Sequence, residues 1–142
     1  MSFLVVAIVA VVVVIVLATS GSRHTPYSSL KTGDCFDNVI GHSGVFSDEV
    51  DRVDCAKPHD AEVTGSFQAA SGSYPGVPGF KAMAQPRCQA LALASVGGSA
   101  APRFRGIWLF PPKALWDKGT HLVLCAVGNI DASRRTGSVK AA

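Results

Sequence analysis

Residues Phe3 to Ala18 form an unbroken apolar run, Phe-Leu-Val-Val-Ala-Ile-Val-Ala-Val-Val-Val-Val-Ile-Val-Leu-Ala. No other stretch constrains the fold as much. The surface of a small soluble domain does not carry such a run, and nothing later in the chain is rich enough to bury it. It reads as a membrane segment. Sixteen residues at about 1.5 Å rise cover roughly 24 Å. Thr19, Ser20, Gly21 and Ser22 extend the uncharged stretch to Arg23, so a helix over Ser2 to Gly21 would reach about 30 Å, the thickness of a bilayer core. A charged leader is absent, and the run is longer than the apolar region of about 7–15 residues usual in export signals. Ala18-Thr19-Ser20 before Gly21 would suit a signal peptidase. The sequence favours a retained transmembrane anchor over 1–22, followed by a linker over 23–30 and an extracytoplasmic domain over 31–142.

The four cysteines, Cys35, Cys55, Cys88 and Cys125, all follow the apolar run. No C-x-x-C is present, which argues against zinc ribbons and thioredoxin-type sites. An even number in a small domain behind an export segment reads as two disulfides on an oxidising side. Arg23 alone votes weakly for the opposite orientation. The expected pairs are Cys35–Cys55, which would staple an acidic, turn-rich loop, and Cys88–Cys125, which would fasten a helix to a central strand.

Charge is divided along the chain. Arg23 to Glu62 holds eight of the ten acidic residues, whereas nine of the thirteen Lys and Arg follow Glu62. The bases lack the aromatic interleaving of a nucleic-acid reader, so no nucleic-acid partner is expected.

Ala61 to Ala69 alternates strictly, with Ala61, Val63, Gly65, Phe67 and Ala69 on one side, as in a half-buried strand. Val50 to Cys55 is a weaker strand. Ser71 to Gly79 reads as a Gly/Pro loop. Pro86 fits the first turn of a helix whose buried face would carry Cys88, Leu91, Ala92 and Ser95, ended by Gly97-Gly98. Phe104–Phe110 and His121–Ile130 are further strands, the second apolar on both faces and therefore central, with a turn at Asp117-Lys118-Gly119. The tail from Ala132 has little to bury. Trp108 and Trp116 read as cover for the open edge of a small core. The expected fold class is α+β: a single N-terminal transmembrane helix plus a small disulfide-stapled domain with an antiparallel sheet and one helix.

Catalytic motifs are missing. Gly41-His42-Ser43-Gly44 only superficially resembles a nucleophile elbow, and no H-E-x-x-H or calcium loop occurs. The one dense polar constellation is Pro58-His59-Asp60-Ala61-Glu62, which starts three residues after Cys55. It could serve acid–base or metal chemistry, but the reading preferred is structural, with His59 and Asp60 bracing the turn into the strand. No catalytic residue, cofactor or metal is expected, and the chain is read as no enzyme.

Leu30-Lys31-Thr32-Gly33-Asp34-Cys35-Phe36 and Val53-Asp54-Cys55-Ala56-Lys57-Pro58-His59-Asp60-Ala61-Glu62-Val63 resemble the opening of the actinobacterial septum-formation family. Pro112, Trp116, Gly119, Cys125 and Thr136 to Lys140 match its later part. The chain departs at Gly119-Thr120-His121, where the family has Gly-Asp-Arg. The resemblance implies a membrane-anchored envelope protein linked by name to division-septum assembly, and no reaction. The expected function is a non-catalytic module at the cell membrane that binds a protein or wall component, with Pro58, His59, Asp60, Glu62 and Trp116 as interaction or structural residues. The alternatives are an accessory single-pass subunit of a larger membrane complex and, more remotely, a small hydrolase or metalloprotein using His59 and Asp60.

Overall fold

A computed structural model describes residues 24–37, 48–97 and 100–141. Six strands form one antiparallel sheet: β1 (His24–Pro26), β2 (Cys35–Asp37), β3 (Glu49–Val53), β4 (Ala61–Gln68), β5 (Phe104–Leu109) and β6 (Leu122–Asn129), in the order β1-β3-β2-β4-β6-β5. A long helix α1 (Gly76–Val96) covers one face, and a four-residue helix α2 (Lys113–Trp116) joins β5 to β6. The expected fold class is corrected on one point: among the described residues no helix is long and apolar enough to cross a membrane. The transmembrane helix expected over 1–22 lies outside the described residues, and so does Gly41-His42-Ser43-Gly44. The antiparallel sheet, a helix packed on it and the two disulfides are as expected.

The sheet curls. Val50 of β3 and Ile107 and Leu109 of β5 lie toward opposite ends of the strand order, yet they share one core with Tyr27, Leu30, Phe36, Ala61, Val63, Leu124 and Ala126. Residues 24–30, expected as part of a linker, belong to this unit: β1 pairs with β3, and Tyr27 and Leu30 are buried. A three-residue strand has no period of its own, so its place is set by its partner.

Buried Tyr27 donates its hydroxyl to the Leu122 carbonyl at 3.1 Å. Burial, assisted by nearby Tyr74, pushes its pKa well above the ordinary phenol value. In the unfolded chain the phenol ionises near pH 10, whereas the folded chain keeps its proton, so the unfolded state gains stability as pH rises. Stability should be intact below about pH 10 and fall above it. Tyr27→Phe should flatten that limb in urea titrations across alkaline pH.

The strict alternation expected along 61–69 is broken. Val63 pairs with Ala126 and Gly65 with Cys125, which leaves Thr64 as the extra residue of a β-bulge. Ala61 and Val63 therefore enter the curled core, while Phe67 and Ala69 enter the core beneath α1. β6 is central and fully flanked, as its two apolar faces require.

Helix α1 begins earlier than expected, so Pro86 is interior. Pro86 is solvent-exposed, which leaves the carbonyl one turn before it on the wet side of the helix, where water serves it. Phe80, Ala84, Cys88 and Val96 form the buried stripe. Phe80 stacks on Phe110 at 4.4 Å and meets Trp116 edge-on. Trp116 is buried and donates its indole N–H to the Gly72 carbonyl at 2.8 Å. Gly128 of β6 sits where a Cβ would lie 2.7 Å from the Asp60 carbonyl oxygen and 3.1 Å from Ile107. The first contact is backbone and cannot turn away, so Gly128→Ala should cost about 1–3 kcal/mol in urea denaturation.

Candidate functional site

The constellation expected at 58–62 straddles the turn into β4, beside the Cys35–Cys55 disulfide. His59 and Glu62 are 0% and 1% exposed, which removes both from solvent. The backbone of His59 forms a two-bond bridge with Arg135: the His59 N–H donates to the Arg135 carbonyl at 2.8 Å and the Arg135 N–H returns one at 3.0 Å. The His59 Nδ1 lies 2.9 Å from the Lys57 carbonyl, which marks it as the protonated nitrogen, while Nε2 has no partner among the described residues. The Asp60 N–H donates to Phe36 O and to the Asp37 carboxylate, and the Asp60 carboxylate lies 3.5 Å from Arg134. Arg134 also pairs with Asp37 and donates to the Pro58 carbonyl at 2.6 Å.

Glu62 is the unexpected member. Its alternation in sequence assigns it to a solvent face, yet one carboxylate oxygen accepts the Ser138 hydroxyl at 2.8 Å and the other the Val139 N–H at 2.7 Å. The tail beyond β6, expected to bury little, therefore closes over this corner. Val139 packs with Val96, Ala100 and Val127, and the Gly137 N–H donates to the Cys55 carbonyl at 2.6 Å. Arg135 is the nearby cation. Burial draws its pKa below the ordinary guanidinium value while Glu62 opposes that shift, and its guanidinium lies over the Phe104 ring at 5.1 Å. Sequence reasoning passed over Arg134 and Arg135 and gave Ser138 and Val139 no role beyond the resemblance, because pairing across about 76 residues leaves no local pattern.

Cys35, His59 and Glu62 converge, with one donor atom of each within 4.8 Å of the others. The donor set does not suit a metal. The Cys35 sulfur is committed to a disulfide, only a thiolate binds metals strongly, and both Glu62 oxygens already accept hydrogen bonds. Trp116, the remaining expected site residue, is distant from this corner in the fold, packed with Phe80, Tyr74 and the His121 ring at 4.1 Å. The second disulfide joins Cys88 of α1 to Cys125 of β6, and both expected pairings are present.

The family described as "Septum formation" matches residues 22–125. The chain belongs to the septum-formation family. No curated protein and no solved structure matches it. In this septum-formation protein the tail that satisfies Glu62 lies beyond the matched segment.

Proposed function

We propose that the protein is a non-catalytic module outside the cytoplasm that acts in division-septum or envelope assembly by holding another protein or a wall component. Membership of the septum-formation family supports the process. Two disulfides, with no free cysteine among the described residues, support the oxidising compartment. The observation that carries the non-catalytic reading is the commitment of the cluster around His59 to structure: His59 and Glu62 are sealed from solvent, and Glu62 is spent on Ser138 and Val139. A general base must reach its substrate, and both groups are shut away from solvent, Glu62 against the chain's own tail.

Depletion in growing cells should give misplaced or incomplete septa, and crosslinking in living cells should trap the protein to a discrete envelope partner. Normal division after full depletion would overturn the process assigned here. Modification by maleimide should require prior reduction. A protein isolated with reactive thiols would overturn the compartment.

A further inference from the structure

We infer that the groove between α1 and strand β5 receives an extended acidic segment of a partner protein, which adds to the sheet as a strand beside β5. The inference rests on the binding role proposed above and names its surface and partner chemistry.

Among the described residues β5 is the last strand of the sheet and pairs with β6 alone. The Ile130 N–H donates to the Arg103 carbonyl at 2.9 Å. The β5–β6 register continues from that pair without a shift. Antiparallel bonding alternates, so Arg105, Ile107 and Leu109 direct their backbone groups at β6. Phe104, Gly106 and Trp108 direct theirs outward, and Gly106 is exposed. An open row of this kind is a template for a further strand.

Of these three positions, Phe104 and Trp108 pack their side chains on the α1 side of the sheet, and Gly106 between them leaves its backbone open. There they help to line a groove of about 440 Å³ with Lys81, Gln85, Gln89, Leu93 and Arg105. Leu93 is 47% exposed, a large apolar side chain without cover. The Cys88–Cys125 bridge fastens helix to sheet at the base of the groove, so its walls are held in place before any partner arrives. Alternate side chains of an added strand would fall into this groove while its backbone met β5.

Charge selects the occupant. No Asp or Glu occurs between Glu62 and Asp117, the stretch that supplies almost all of the groove, whereas Lys81, Arg87, Arg103 and Arg105 do. Arg135 adds its charge over Phe104. A basic strip around an open strand edge attracts an acidic, partly apolar segment. It also repels a second copy of itself, since edge-to-edge pairing would bring two such strips together.

The full chain, oxidised and in mild detergent, is applied to immobilised peptides of about ten residues that alternate Asp or Glu with apolar residues. Parallel sets carry Asn or Gln, or Lys or Arg, at the charged places. Acidic peptides should be captured and the other sets should not. For the best acidic peptide, Lys81→Glu with Arg105→Glu should weaken binding by at least about tenfold in fluorescence anisotropy. N-methylation of alternate peptide amides, which needs no protein variant, should do the same. Bound peptide should slow hydrogen exchange at Phe104, Gly106 and Trp108. Capture of the neutral set to the same extent, full binding of the N-methylated peptide, displacement by dextran sulfate alone, or groove-dependent self-association in place of peptide binding would each overturn the inference. The charge-reversed variant also separates the two proposals. Normal septa in cells carrying only that variant would refute the groove and leave the septal role standing, whereas normal septa after depletion would refute the role whatever the peptides show.

Discussion

Replacing Cys88 and Cys125 together by alanine should cost the protein about 3–4 kcal/mol, the chain-entropy value for a closed loop of this length. The bridge encloses a separation of 37 residues and cross-links α1 to the sheet through side chains. Against a total stability of about 5–15 kcal/mol, that is a large share. Urea denaturation followed by far-ultraviolet circular dichroism should show the midpoint falling sharply. The groove beside β5 should loosen at the same time, because Cys88 lies at its base. A loss below about 1 kcal/mol would mean that Phe80, Ala84 and Val96 hold the helix without the bridge.

Glu62→Ala should be nearly as damaging, by about 2–4 kcal/mol. It removes the acceptor for the Ser138 hydroxyl and the Val139 N–H, and leaves Arg135 half-buried without its opposing charge. The tail should come off the sheet before the sheet melts. Trypsin should then cut after Arg134 and Arg135 while the remaining fold stays protected. Ser138→Ala removes one of the two bonds and should cost about 1 kcal/mol. Substitution of exposed Asp131 should leave the tail resistant. A Glu62→Ala protein whose tail stayed resistant would show that Val139 packing and the backbone bonds of Arg135 and Gly137 secure it without the carboxylate.

What the sequence disclosed depended on how local the signal was. β6 is legible because a strand flanked on both sides needs two apolar faces, and Leu122 to Val127 supply them. Both disulfides are legible: Cys35 and Cys55 flank one acidic, turn-rich loop, and Cys88 lies on the buried stripe of a helix with Cys125 on the central strand. The bulge at Thr64 is not legible, since one unpaired residue changes the facing of everything after it without changing the residue pattern. The start of α1 is hidden behind Pro75-Gly76-Val77-Pro78-Gly79, which reads as a loop until Phe80 finds Phe110 and Trp116. β1 and the tail are hidden because their partners, β3 and the turn at His59, lie far off in sequence. Of the candidate site, His59 and Asp60 were visible as turn braces, and the partner that makes Glu62 a buried residue was not.

The pairing of the cysteines bears on how the protein is made. Of three possible arrangements, the one present joins the first cysteine to the second and the third to the fourth. The two rings share no residue. A chain threaded N-terminus first into an oxidising compartment meets each correct partner before the next cysteine emerges. Oxidation in order of arrival therefore yields the native bonds directly, without the slow thiol exchange that crossed arrangements demand, and maturation of this domain has no built-in need for a disulfide isomerase.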